Sequence, residues 1–290
     1  MTVEGLTPRY DRTFNSALNE KIDRLENLPG PRVILVAGSS GSFGLDQEQL
    51  AQKVGMPTVN ISLQSGYGMR FQTDLVRGNL HKGDIVIIAY EYAMMSLLDS
   101  YSPELVLTGF DGHLRRFRYI PRESWLDTAT YFPTFFSKKM DARTVPVVSK
   151  GVYSRSAFDQ NGQMIYPRPT TAVPSPLPEK FFVAIDRNRL SSDMADYLND
   201  LHDYVKGQGA RLALSYPPVM DEAVTSSEEE IAQFSAEVAN KLTFPIISNP
   251  KDYILPREYF YDTQYHCNTR GEHMRTDLLA RDITHFLAQK

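Results

Sequence analysis

Two short stretches carry residues able to do chemistry together. Gly38-Ser39-Ser40-Gly41-Ser42 crowds three hydroxyls into a turn of small residues. A serine in such a turn can attack an acyl carbon while its own N–H holds the oxyanion. The same turn, read as Gly38-x-x-Gly41-x-x-Gly44, is also compatible with a helix N-cap or a phosphate cradle. Far along the chain, Asp262-Thr263-Gln264-Tyr265-His266 puts an acid and an imidazole on one loop. Such a pair can supply a general base and the carboxylate that orients it. The plain alternative for His266 is a hydrogen-bonded loop histidine. The other five histidines, His81, His113, His202, His273 and His285, fall on expected helices or in the aromatic-rich middle of the chain. None follows a comparable strand-end acid.

These residues need a frame that brings residue 40 and residue 266 together. Val33 to Ala37 is an unbroken apolar, β-branched run, the pattern of a strand buried on both faces. It stops at the serine turn, and a helix is expected over about 46–54. A buried parallel strand that ends in small residues and leads into a helix is where open α/β sheets place their ligands. Further strands are expected at 58–63, 85–89, 211–215 and 244–247. Helices are expected at 11–28, 69–80, 191–206, 226–242 and 269–289, with Ser191-Ser192-Asp193 as an N-cap signal. Strand and helix alternate five times. This predicts an α/β fold, a flavodoxin-like three-layer sandwich with a central parallel sheet of about five strands. The alternation breaks after the third strand. Residues 96–180 are rich in proline and aromatics, including Trp125, Tyr131-Phe132-Pro133 and Tyr166-Pro167-Arg168-Pro169, and show little periodicity. They read as a long insertion in a single domain 1–290, either packed on the sheet edge or covering a substrate.

Composition narrows the function classes. The 290 residues are 42% hydrophobic and 23% charged, enough for a full core. A net charge of −4 gives no electrostatic reason to expect nucleic acid as a partner. The single cysteine, Cys267, rules out an intrachain disulfide and a cysteine-based metal cluster. No run of 18 apolar residues occurs, so no membrane span is expected, and the first ten residues lack an apolar signal core. As written the chain reads as cytoplasmic, or as periplasmic or cell-envelope if a leader has been removed. Oligomeric state is not legible. A nucleotide-binding reading of the glycine turn calls for an acid at the end of strand two to hold a ribose, and Leu63-Gln64-Ser65 offers none.

Taken in order, the motifs resemble the SGNH (GDSL-like) hydrolase superfamily. Gly38-Ser39-Ser40 resembles its first block, with Ser39 where most members carry Asp. Asn60-Ile61-Ser62-Leu63-Gln64-Ser65-Gly66 resembles its second block, and Asp262 with His266 its closing block. The correspondence covers about 33–92 and 190–290. The resemblance implies a Ser40–His266–Asp262 triad, an oxyanion hole from the N–H groups of Ser40 and Gly66, and no cofactor or metal. Two departures stand out. Three residues separate Asp262 from His266 where the family usually has two. Ala89-Tyr90-Glu91 stands where Gly-x-Asn is expected, so Glu91 falls at the place of the oxyanion-binding Asn. Glu91 could instead pair with Arg70 or another cation, and Ser39, Tyr90 and Arg70 are expected to line the site. The G-S-S start and the F-Y-D-T-x-Y-H ending are similar to envelope and polysaccharide-modifying members. This implies an acylated, commonly acetylated, sugar as substrate. The alternative is a catalytically inactive carbohydrate-binding or scaffold protein on the same fold.

Overall fold

The computed structural model describes residues 7–141, 147 and 149–289. The first six residues, which begin the stretch read for a leader, lie outside it, as do 142–146 and 148 of the 96–180 segment. In chain order the elements are α1 (Leu18–Asn27), β1 (Val33–Val36), α2 (Ser39–Phe43), α3 (Gln47–Val54), β2 (Thr58–Asn60), α4 (Met69–Arg77), β3 (Ile85–Ile88), α5 (Pro103–Gly109), α6 (Trp125–Asp141), α7 (Ser192–Gly207), β4 (Arg211–Leu214), β5 (Val219–Met220), α8 (Glu228–Lys241), β6 (Ile254–Leu255) and α9 (Thr269–Ala288).

The chain divides into two compact units. The larger comprises Leu28–Ser65, Leu80–Leu98 and Pro167–Lys290. Its centre is a parallel sheet of four strands in the order β2-β1-β3-β4, with helices on both sides. Val33 pairs with Thr58 on one side and with Ile85 on the other, and Ile85 continues to Arg211. β1 and β3 are buried along their whole length, as their uninterrupted apolar sequence requires. One face of the sheet, with Val33, Leu35, Ile85, Ile87 and Ala213, packs on Leu45 and Leu50 and on Leu279, Ile283 and Phe286 of α9. Each such buried aliphatic side chain contributes roughly 1.5–3 kcal/mol. The expected strand at 244–247 reduces to a single parallel bridge from Ile246 to Leu214. The proline at 245 cannot donate to a ladder. A separate parallel pair joins β5 to β6.

The helix ends follow the sequence signals. Asp46 caps α3 by accepting from Glu48 and Gln49, and Ser191 caps α7. Ser227 and Glu230 close a capping box on α8, and Asn268 caps α9. Arg32 and Asp84, both with fully buried side chains, brace the N-terminal ends of β1 and β3.

The smaller unit draws on Met1–Asn27, Gly66–Asn79 and Asp99–Tyr166, and so includes most of the segment expected to lack regular elements. That segment contains α5 and the 17-residue α6, with Pro133 inside it. Tyr67, Phe71 and Phe110 form an aromatic cluster here. Buried Lys139 pairs with buried Asp111. Lys21 on α1, also buried, donates to the Gly162 carbonyl at 2.7 Å. Among the described residues no helix is long and apolar enough to cross a membrane.

Candidate active site

Neighbouring parallel strands β1 and β3 deliver their C-terminal ends to the same rim, with Val36 opposite Ile88. Strand order places β2 on one side of β1 and β3 on the other, so the connections leave in opposite directions. A crevice for ligands forms at such a switch point. β1 leads into Gly38 and the short helix α2; β3 leads into Tyr90 and Glu91.

Gly38, not a serine, stands at the N-cap position of α2, so the N-cap residue itself offers no side chain to that end. Ser39 is half-buried and Ser40 fully buried. Asn60 at the end of β2 donates to the Gly41 carbonyl at 2.9 Å, which ties β2 to the turn. An added Cβ on Gly41 would lie 2.7 Å from the Ser62 Cβ, so a glycine is needed for that close approach. The Ser40 hydroxyl has no hydrogen-bond partner among the described residues.

The loop before α9 is a tight antiparallel turn. Phe260 bridges Cys267, and Tyr261 N–H donates to the His266 carbonyl at 2.7 Å. The Thr263 hydroxyl accepts from His266 N–H at 3.1 Å and so gathers the three-residue spacer. That turn brings the acid and the imidazole together. Asp262 Oδ1 then lies 2.9 Å from His266 Nδ1. With a carboxylate at Nδ1, the proton belongs on Nδ1 and the lone pair on Nε2.

His266 and α2 meet through Phe43. Their rings stack with centroids 3.9 Å apart and planes 7° from parallel. Phe43 follows Ser40 by three residues, so the two share one face of the helix. Gly44 extends the contact, since a Cβ there would lie 3.5 Å from Cys267 Sγ. Buried Arg168 reaches Phe43 with its guanidinium carbon 5.3 Å from the ring centroid, and it pairs with Glu272 on α9. The imidazole therefore sits on the turn that carries Ser40. No hydrogen bond joins the Ser40 hydroxyl to it.

Glu91 turns toward Ser40. Its Oε1 accepts from Ser40 N–H at 2.7 Å, and both groups are buried. Gly38 makes room: a Cβ at that position would stand 2.6 Å from Oε1 and nearer still to Oε2. Oε2 is buried with no hydrogen-bond partner among the described residues. Arg275 on α9 is likewise fully buried, and none of its guanidinium nitrogens has a partner among those residues. Burial lowers its pKa, against the influence of Tyr253, Cys267, Glu91 and Asp282. Burial pushes the Cys267 thiol up to about 12. Burial raises Tyr90, and the neighbouring Glu91 adds to the effect.

Two further predicted residues belong to the smaller unit. Gly66 sits in the turn Ser65–Tyr67, where its carbonyl accepts from Ser102 N–H at 2.9 Å. Arg70 on α4 pairs with Asp99 at 3.0 Å. The structure adds Phe43, Arg168 and Arg275 around the imidazole and the serine turn. Phe43 follows the serines in an apolar pattern that any core residue shares. Arg168 lies in a proline-flanked stretch with no periodicity. Arg275 is one of several charges on an amphipathic helix. None of the three carries a sequence signal of its role. No protein-family model matches the chain, and no curated protein matches it by sequence.

Proposed function

We propose that the chain is a serine-dependent ester hydrolase or O-acyltransferase of the SGNH kind, acting on an acylated, commonly acetylated, carbohydrate. The observation that carries this is the Asp262–His266 pair at 2.9 Å, stacked through Phe43 on the helix that holds Ser40. In this reading His266 Nε2 takes the Ser40 proton as Oγ bonds to the acyl carbon. The proton passes to the departing sugar oxygen as the ester bond breaks. Water or an acceptor hydroxyl, deprotonated in turn by His266, then attacks the acyl-enzyme and restores Ser40. Asp262 holds the tautomer and stabilises the imidazolium. Ser40 N–H is the oxyanion donor within this unit, and no cofactor is called for. The strand order β2-β1-β3-β4 supports a flavodoxin-like doubly wound sheet, with 96–180 as a long excursion after β3.

The test is acetate release from an O-acetylated oligosaccharide. The native chain should release it, and Ser40→Ala and His266→Ala should not. Equal release by Ser40→Ala would refute the proposal. One observation favours a second reading, a non-catalytic carbohydrate-binding or scaffold protein: Glu91 holds the N–H that an oxyanion needs. That reading requires the native chain to bind the oligosaccharide and leave its acetyl groups intact.

A further inference from the structure

The geometry points to Glu91 as a built-in stand-in for the oxyanion: its carboxylate occupies the place beside Ser40 N–H, and the reactive site forms when it withdraws. This rests on the serine-esterase reading above. A single N–H makes one strong hydrogen bond, and here Glu91 Oε1 takes it at 2.7 Å. A substrate oxyanion and Glu91 therefore compete for one donor. The seat is shaped for the carboxylate. Both oxygens lie where any residue other than glycine at 38 would put its Cβ. Ser40 is fully buried, Glu91 is buried and His266 is 8% exposed.

Only one oxygen of the plug is hydrogen-bonded, though the buried Arg275 also acts on it electrostatically. Oε1 is bonded, while the buried Oε2 has no hydrogen-bond partner among the described residues. The backbone of Glu91 is fixed, because it stands at the head of the tight turn Tyr92–Ser96 and its carbonyl accepts from Met94 N–H at 2.8 Å. Withdrawal is then a side-chain rotation that leaves β3 and the turn where they are. A purely structural Glu91, capping α2, gives the opposite expectation: its loss would lower stability and leave Ser40 no more reactive.

The test is the rate at which a fluorophosphonate probe labels the full chain, measured for the native protein, Glu91→Ala and Glu91→Gln, and for each variant combined with Ser40→Ala. Glu91→Ala removes the acceptor that competes for Ser40 N–H, while Glu91→Gln removes the charge and keeps an amide oxygen that can still accept from it. Both should raise the labelling rate, Glu91→Ala by at least about 10-fold and up to ~10²–10³-fold, the worth of one oxyanion donor, and Glu91→Gln by less. Both gains should vanish with Ser40→Ala. Circular-dichroism melts identify any variant that fails to fold, and the other variant then carries the test. If Ser40 labels in the native chain and folded variants label no faster, the plug is overturned and the esterase reading stands. If Ser40 labels in neither native nor variant chains, the esterase reading falls and takes the plug with it.

Discussion

Asp262→Asn separates the catalytic reading of the loop from a structural one. The carboxylate sits 2.9 Å from His266 Nδ1, and an amide there can present its N–H₂ to the ring and favour the tautomer with the proton on Nε2. That tautomer cannot accept the Ser40 proton. The loss expected for a triad in this state is on the order of 10³–10⁴ in kcat, about 4–5.5 kcal/mol at 1.36 kcal/mol per tenfold. The effect on folding is far smaller. The Asp262 side chain is 23% exposed and the His266 side chain 10%. A partly exposed pair of this kind contributes roughly 0.2–1 kcal/mol. In a chain of this size that shifts Tm by no more than about 2–4 °C. The assay is kcat/KM for an aryl acetate, read beside a thermal melt of the same preparation. Activity should fall by three to four orders of magnitude while Tm barely moves. Activity within about threefold of native, with Ser40→Ala inactive, would show that His266 needs no orienting carboxylate and would refute the triad.

Lys21 gives a pH prediction. Burial lowers its pKa to about 7, against an unfolded value of about 10.4. Between those values the unfolded chain binds a proton that the folded chain does not, so this group makes stability rise with pH and fall back as pH drops toward 7. From pH 7 to 9 the native chain should gain up to about 2 kcal/mol more than Lys21→Met in urea unfolding; equal gains would contradict the burial of a charge there. Cys267 is fully buried with its thiol pushed up to about 12. It should resist iodoacetamide at pH 8 in the folded chain and react in denaturant, and rapid native alkylation would contradict its placement. Asp84→Ala should cost about 3–5 kcal/mol in urea unfolding, because it strands the buried Arg32 guanidinium and removes the acceptor for the Arg32 and His81 N–H groups; a loss under about 1 kcal/mol would contradict that pairing.

The strand ends were legible because β1 and β3 are apolar throughout and stop at small or polar residues. A strand buried on both faces leaves little else for such a run to be. The cap at Ser191 was legible for a local reason: its hydroxyl answers the Met194 N–H three residues on. α6 was not legible. Pro133 interrupts its helical pattern, and Trp125, Leu126 and Phe136 are exposed, so its apolar residues do not mark one buried face. The 244–247 run is β-branched at its end yet adds no named strand, because Pro245 breaks its donor row. The partnership of Asp262 and His266 could be read from their shared loop. The seat of Glu91 could not. It depends on the missing Cβ of Gly38, fifty-three positions earlier, and on the adjacency of β1 and β3. The burial of Arg168 and Arg275 is likewise set by what packs on them, which residue type alone does not reveal.

The most direct measurement is peptide mapping by mass spectrometry after exposure of the folded native chain and Glu91→Gln to a fluorophosphonate. The expected result is one adduct, on the peptide that contains Ser40, absent from Ser40→Ala and from heat-denatured protein. An adduct at another serine, or none in either protein while a control esterase labels fully, would contradict the assignment of Ser40 as the nucleophile.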